Sequence, residues 1–197
     1  MNTPGLLIVI SGPSGAGKGT LCNLIKKEFP NIYYSISATT RSPREGERHG
    51  VDYLFISKEE FLALKDKNGF LEWALVYDNL YGTPKKLVEE NIQKGRDVIL
   101  EIDIQGALQV KKQYAGGVFI FVVPPSLSEL KRRIEKRGKD SPEDIMKRMN
   151  SVHEELSYVT EYDYVIVNEK IETAVAKLKS IIIAEKCKPQ RRKIEFD

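Results

Sequence analysis

Short, unbroken apolar runs recur along the chain and predict the strands of a buried sheet. Apolar residues in these runs do not alternate with polar ones, so we expect both faces of the sheet to be covered. The runs are residues 6–11 (LLIVIS), 97–103 (DVILEID), 118–123 (VFIFVV) and 164–168 (YVIVN).

Segments with helical periodicity separate and follow these runs. In each segment apolar residues recur every three or four positions, and polar residues occupy the other face. The segments are residues 21–29, 84–94, 105–113, 127–137, 142–159 and 171–186. Two helix starts carry capping signals, at Ser126 with Glu129 and at Ser141 before Pro142. Because strands alternate with helices, we predict an α/β fold in which helices flank both faces of a parallel sheet.

Residues 35–83 break this alternation. They hold strand-like pieces at 52–56 (DYLFI) and 70–76 (FLEWALV) around one helix candidate at 59–67 (EEFLALKDK). We predict a small α+β insertion in a single domain of residues 1–197, whose core is residues 1–34 and 84–197. A basic tail covers residues 187–197.

Composition narrows the class of protein only slightly. The 197 residues are 41% hydrophobic and 30% charged, as is usual for a globular enzyme, and the net charge of +3 is too small to imply nucleic acid. No stretch approaches the roughly 20 apolar residues of a membrane span, so we expect a cytoplasmic location. Cys22 and Cys187 suit reduced thiols, and His49 and His153 lack metal-ligand spacing.

The segment GPSGAGKGT, residues 12–20, lies between the first apolar run and the first helix. A strand, a glycine loop and a helix start form a phosphate cradle, because backbone N–H groups and the positive helix end face the anion. Gly12, Gly17 and Lys18 match the Walker A spacing, and Lys18 supplies charge for the terminal phosphates. Gly19 stands where that pattern has Ser or Thr, and the hydroxyl comes at Thr20.

Two pairs of charged residues favour phosphoryl chemistry, although each has a simpler explanation. Glu101 and Asp103 end the second run, where P-loop proteins place acids near phosphate and Mg²⁺. Either acid could instead cap the next helix. Arg41 and Arg44, three apart in a loop, can converge on a phosphate, or can simply be solvated.

Several segments, which follow one another in the same order as in the guanylate kinase family, resemble that family from about residue 6 to residue 186. They are GPSGAGKGT, SATTRSPREGE, VDYLF, FLEWALVYDNLYGTP, EIDIQGA, RRIEKRG and YVIVN. The resemblance implies a P-loop enzyme of purine nucleotide metabolism that transfers the γ-phosphoryl of ATP to GMP, and to dGMP. It also implies that the insertion binds GMP and that a helical lid lies at about 133–148.

The resemblance assigns the GMP site residue by residue. It implies that the residues that bind the phosphate are Arg41, Arg44, Tyr53 and Tyr81. The residues that it implies contact the guanine are Ser37, Glu72, Thr83 and Asp103. The chemistry agrees, because guanine offers two donors along one edge and an ionised carboxylate accepts both. Such a site rejects an analogue without those donors by about 10⁴ to 10⁵. The two tyrosines could instead serve the core of the insertion.

The ATP site and the catalytic groups are implied in the same way. The ATP-binding residues are Gly12, Pro13, Ser14, Gly15, Ala16, Gly17, Lys18, Gly19, Thr20 and Asn168. Asn168 would border the adenine, or would be a strand-end turn residue. The catalytic groups are Lys18, Arg133, Arg137 and Arg148, and one such arginine is worth about 10³ to 10⁵ in rate. Mg²⁺ would be bound mainly through nucleotide phosphates and water, with Thr20 as the candidate protein ligand.

Other classes of protein fit less well. A guanylate-kinase-like binding module would have a degraded P-loop, whereas this chain retains Lys18, Arg41, Arg44, Glu72 and Arg137. An adenylate-type kinase or a phosphoribosyl bisphosphate kinase is disfavoured by Glu72 with Thr83, and a P-loop GTPase by the lack of an NKxD motif. We expect small-molecule partners, with no nucleic acid or membrane, and the oligomeric state stays open.

Overall fold

The computed structural model describes residues 3–76, 78–136 and 142–191. The strands are β1 (Leu7–Ser11), β2 (Tyr33–Tyr34), β3 (Ala38–Thr39), β4 (Leu54–Phe55), β5 (Phe70–Val76), β6 (Asn79–Pro84), β7 (Val98–Glu101), β8 (Val118–Val123) and β9 (Tyr164–Val167). The helices are α1 (Lys18–Glu28), α2 (Lys58–Asp66), α3 (Lys85–Gln93), α4 (Ile104–Gln113), α5 (Leu127–Lys136), α6 (Pro142–Ser157) and α7 (Ile171–Lys186).

The larger sheet is parallel and has the strand order β2-β7-β1-β8-β9. Its inner strands are covered on both faces, by α1 and α7 on one side and by α3 and α4 on the other. The four apolar runs supply β1, β7, β8 and β9, and the predicted α/β fold is confirmed. The edge strand β2 was not predicted, because two half-buried tyrosines do not make an apolar run.

A smaller sheet with the order β4-β3-β6-β5 occupies residues 38–84. Its own core is formed by Ala38, Phe61, Phe70 and Leu80, with the rings of Phe61 and Phe70 stacked 4.3 Å apart. The helix α2 begins at a capping box formed by Ser57 and Glu60. The hairpin β5–β6 brings strand residues 70–76 beside residues 79–84.

The strand β5 belongs to both cores. Phe70 packs in the core of the smaller sheet, whereas Leu71 is buried with Leu100 and Ala107 against the larger sheet. The smaller sheet is therefore anchored to the larger one through β5. Within the described ranges, no helix combines the length and apolarity needed to cross a membrane.

Candidate active site

The P-loop joins β1 to α1 at the carboxyl end of the parallel strands. Gly12, Gly15 and Gly17 have φ angles of 134°, 92° and 93°, a region that favours glycine. A Cβ atom at Gly12 would lie 2.1 Å from the carbonyl oxygen of Val122. The tight loop therefore depends on its glycines, and it leads directly into the N-terminus of α1, where anions bind well.

Lys18 is folded back onto the loop that precedes it. Its Nζ donates to the carbonyl oxygens of Gly12 at 2.6 Å and Pro13 at 3.1 Å. Burial lowers the pKa of Lys18, and the Glu101 carboxylate partly opposes this shift. An ammonium group has three donors, so two can brace the loop while the third reaches a phosphate.

Asn168 connects the end of β9 to the P-loop. Its side-chain Nδ2 donates to the carbonyl oxygen of Ala16 at 2.8 Å. Its backbone carbonyl oxygen accepts from Arg133 Nη2 at 2.9 Å. A Cβ atom at Gly17 would lie 2.4 Å from Asn168 Nδ2, so glycine is also needed at this contact. The structure thus brings Asn168 and Arg133 to the predicted ATP site.

Glu129 holds the same arginine from the other side. Its Oε1 accepts from Arg133 Nε at 2.7 Å, and Arg132 binds the same carboxylate. The guanidinium groups of Arg132 and Arg133 lower the pKa of Glu129 to about 2. The orienting role of Glu129 was not predicted from the sequence, although its i,i+4 spacing from Arg133 is a usable signal.

A cavity of about 480 Å³ opens beside these groups. Its lining combines loop glycines with charged side chains of α5 and with the segment that follows β9. The lining residues are Gly15, Gly17, Thr20, Glu129, Arg132, Arg133, Lys136, Asn168, Glu169 and Ile171. The cavity therefore lies next to the phosphate cradle, where a nucleoside attached to bound phosphates could extend.

A buried carboxylate in the smaller sheet forms the other half of the candidate site. Glu72 on β5 is 5% exposed, and its Oε1 accepts from the Thr83 hydroxyl at 2.6 Å. Burial raises the pKa of Glu72 to about 7, and the nearby Asp103 carboxylate adds to the shift. Ser37 directly precedes Ala38, which pairs with Gly82, and so lies beside Thr83.

Asp103 is both a candidate guanine ligand and the N-cap of α4. Its Oδ1 accepts from the Gly106 N–H at 2.7 Å, so the capping role considered above is present. Gly106, which donates to Asp103, also lies against Glu72 Oε2, and the Asp103 carboxylate helps to raise the pKa of Glu72, so the two carboxylates lie near each other. The helix cap and the predicted base contact are compatible, since a carboxylate offers several acceptor positions.

Arg41 lies in a cluster with Tyr53 and Tyr81, the two tyrosines predicted to bind the phosphate of GMP. Its Nε donates to the Tyr81 hydroxyl at 3.2 Å, and its guanidinium carbon lies 5.5 Å from the centre of the Tyr53 ring. Glu47 accepts from Arg41 Nη2 at 3.0 Å and from the backbone N–H of Arg44 at 2.8 Å. The sequence analysis missed Glu47, which neutralises Arg41 and orders the loop that carries Arg44.

Two catalytic candidates cannot be placed. Arg137 lies outside the described residues, and so does the side chain of Arg148. The predicted lid at about 133–148 and the basic tail at 187–197 are described only in part. Of the predicted catalytic arginines, the structure brings Arg133 to the P-loop.

Gly19 faces Glu101, one of the two acids predicted to lie near phosphate and Mg²⁺. A Cβ atom there would lie 3.5 Å from Glu101 Oε1, and the other oxygen of Glu101 accepts from the Tyr34 hydroxyl at 2.6 Å. Mg²⁺ prefers oxygen ligands and retains several waters, so Glu101 and Thr20 are suitable neighbours for it. In the described part of the chain, no three His, Cys, Asp or Glu side chains converge to hold a metal alone.

A phosphate loop at the end of a parallel sheet, beside a second sheet that holds a buried carboxylate, is typical of P-loop nucleotide kinases. The guanylate kinase family model matches residues 5–185. The chain is 58% identical over 192 residues to a guanylate kinase of Desulfitobacterium hafniense, covering 98% of this chain and 96% of that protein. Therefore, the chain belongs to the guanylate kinase family and is a phosphotransferase.

Other relatives agree with this placement. A guanylate kinase of Caldanaerobacter subterraneus subsp. tengcongensis is 56% identical over 189 residues, which cover 96% of this chain and 92% of that protein. The solved guanylate kinase of Anaplasma phagocytophilum superimposes with a TM-score of 0.79 at 38% identity, covering 97% of this chain and 91% of that structure. The similarity thus extends over nearly the whole chain in both sequence and fold.

Proposed function

We propose that the chain transfers the γ-phosphoryl group of ATP to GMP, giving ADP and GDP. The observation that carries the proposal is the buried Glu72–Thr83 pair, in which an acceptor-only carboxylate is held at 2.6 Å by a hydroxyl. The two N–H groups along the edge of guanine would bind this carboxylate. Adenine presents an acceptor at the corresponding ring position and would meet Glu72 with like polarity.

In the proposed reaction a phosphate oxygen of GMP attacks the γ-phosphorus of ATP. The bond from that phosphorus to the β,γ-bridging oxygen breaks, and the electron pair leaves with ADP. Such transfers need little covalent help, so positioning and charge neutralisation provide the rate. Closure of the two halves over the substrates would exclude water, which would otherwise hydrolyse ATP.

On the donor side, N–H groups of the P-loop and the ammonium of Lys18 would bind the β- and γ-phosphates. Arg133, held by Glu129 and Asn168, already lies beside the loop and would neutralise charge on the transferring group. Mg²⁺, when bound, would neutralise the β- and γ-phosphate oxygens. Glu101 and Thr20 would hold it through oxygen atoms or water, and the position of the Glu101 carboxylate beside Gly19 supports this fit.

On the acceptor side, Arg41, Arg44, Tyr53 and Tyr81 would bind the phosphate of GMP. The contacts of Arg41 with Tyr81 and with the Tyr53 ring support a common phosphate site. These assignments concern the base and the phosphate rather than the sugar, so dGMP is included in the proposal. A cytoplasmic location and the lack of nucleic-acid and membrane partners stay predictions.

An assay of ADP formation tests the proposal with GMP, dGMP, AMP, UMP and ribose phosphates as acceptors. We expect turnover with GMP and dGMP and a preference over AMP of about 10⁴. Comparable turnover with AMP would contradict guanine recognition by Glu72. A lack of turnover with every acceptor would instead favour a binding module with this fold.

A further inference from the structure

The outer edge of β5 is covered by side chains of α4, through contacts that none of the roles above uses. β5 is an edge strand of the smaller sheet, with β6 on its other side. Gln109 Oε1 accepts from the N–H of Trp73 at 3.2 Å, and Gln109 Nε2 donates to the carbonyl oxygen of Trp73 at 3.0 Å. A single amide side chain therefore binds the strand as a neighbouring peptide would.

Gln113 makes a third bond one turn further along the same helix. Its Nε2 donates to the carbonyl oxygen of Leu71 at 2.8 Å. That carbonyl belongs to the peptide before Glu72, whereas the N–H of Trp73 belongs to the peptide after it. The two glutamines, spaced i,i+4, thus hold the backbone on both sides of Glu72.

Gly106 completes this face of α4. A Cβ atom there would lie 2.6 Å from Glu72 Oε2, so the helix backbone lies directly against the carboxylate. Gly106, Gln109 and Gln113 are spaced by three and four residues and therefore share one side of the helix. The N-cap of the same helix is Asp103, the second acidic residue of the guanine pocket.

We propose that Gln109 and Gln113 are positioning residues for guanine recognition, which fix the Glu72 carboxylate relative to Asp103 by clamping the β5 backbone onto α4. This inference rests on the proposed function, because it assumes that guanine binds between those two carboxylates. Neither glutamine touches the substrate in this assignment. Both act through the peptides that flank Glu72.

The strand β5 packs and pairs irregularly just before Glu72. Leu71 is buried in the core of the larger sheet and Phe70 in that of the smaller one, so the two faces of β5 contact different cores. The pairing of β5 with β6 also shifts register between Phe70 and Glu72. The pairing on the β6 side is therefore irregular beside Glu72, and the two glutamines hold the opposite edge of the strand at the same point.

The test replaces each glutamine by methionine, which keeps the length of the side chain and removes its hydrogen bonds. We expect Gln109→Met, which loses two hydrogen bonds, to raise both the Kd and the KM for GMP about tenfold. Gln113→Met loses one hydrogen bond and should raise both values about threefold. The KM for ATP and the kcat at saturating GMP should stay within about twofold. Gln93→Met on the exposed side of α3 is the matched control and should change none of these values.

Specificity separates positioning from a purely structural role. Inosine monophosphate lacks the 2-amino group that Glu72 would accept, so displacement of the carboxylate should lower the preference for GMP over this analogue. Calorimetric titration gives the Kd, steady-state assays give kcat and KM, and thermal unfolding shows how far each variant is destabilised. The preference should fall about fivefold in Gln109→Met and remain unchanged in Gln93→Met.

The outcomes distinguish the inference from the function beneath it. Equal rises in the KM values of ATP and GMP, or lower melting temperatures with unchanged GMP affinity, would overturn the inference. If Gln109→Met does not fold, Gln113→Met provides the test. A rise of about threefold in its Kd and KM for GMP would support the inference, and unchanged values would overturn it. Absence of GMP turnover by the unmodified protein would refute the proposed function instead.

Discussion

The donor and acceptor halves of the site are built in different ways. The donor half is centred on one continuous loop, residues 12–20, whose shape follows from glycines and from the start of α1. The proposed acceptor half gathers side chains from the segments on either side of β3, from β5 and β6 and from the N-cap of α4, over residues 37–103. Local sequence therefore determines the donor half, whereas tertiary contacts determine the acceptor half.

This difference has an energetic consequence for substitutions. Backbone N–H groups in the P-loop remain when a side chain is changed. In the donor half, kcat should therefore fall mainly when a charged side chain is removed. In the proposed acceptor half a few buried side chains would recognise the base, so replacing one of them should affect the binding of GMP selectively.

Replacing Lys18 tests the donor half most strongly. Lys18→Met should fold, because its bonds to Gly12 and Pro13 brace a loop that the glycines already shape. Loss of the positive charge should lower kcat by about 10² to 10³. Steady-state kinetics measure the effect, and Lys27→Met, exposed on the same helix, is the control. Near-normal turnover would refute the role of Lys18.

Replacing Glu72 tests the acceptor half. Glu72→Gln places an amide donor against the N–H groups of guanine and should lower kcat/KM for GMP about 100-fold. The KM for ATP should be unchanged, as should both values in Glu59→Gln on the exposed start of α2. Equal losses for the two nucleotides would show that the halves are not separable.

The raised pKa of Glu72, about 7, gives the acceptor half a pH dependence. Guanine needs the ionised carboxylate, so protonation opposes binding, and GMP affinity should fall about tenfold from pH 8 to pH 6. The phosphate of GMP also titrates near pH 6, with its own effect on binding. Glu72→Gln retains that phosphate effect and serves as the control. The same pH profile in both proteins would exclude Glu72 as the titrating group.

Replacing Asn168 gives the smallest expected effect. Asn168→Ala removes the side-chain bond to the Ala16 carbonyl, whereas the backbone carbonyl that accepts from Arg133 remains. The KM for ATP should rise about fivefold while that for GMP is unchanged, as one buried hydrogen bond is lost. Titration with each nucleotide measures this, with Asn23→Ala on the exposed side of α1 as the control. A selective loss of GMP binding would contradict the placement of Asn168 in the donor half.

The sequence predicted the larger sheet well because its strands are continuous apolar runs. It did not predict β6, whose sequence NLYGTP contains Gly and Pro and reads as a turn. Pairing with β5 outweighs that local preference. The helix α1 begins at Lys18 rather than Leu21, since the glycine-rich first turn has no apolar periodicity.

For the site, too, the sequence predicted local features and did not predict those that depend on tertiary contacts. The P-loop could be recognised from its spacing alone, whereas Glu47 is matched to Arg41 only by the folding of their loop. Gln109 and Gln113 look like the polar face of an ordinary helix in the sequence. Only the packing of α4 against β5 shows that this face meets a strand edge instead of water.

The place of Trp73 has a practical consequence. It is the single tryptophan of the chain, its backbone is held by Gln109, and Lys65 Nζ lies 3.9 Å from the centre of its ring. Its neighbour in the strand is the residue that would accept guanine. The tryptophan fluorescence of the unlabelled protein, excited selectively over the nine tyrosines, therefore arises from one site and can report base binding, subdomain movement and melting in a single optical signal.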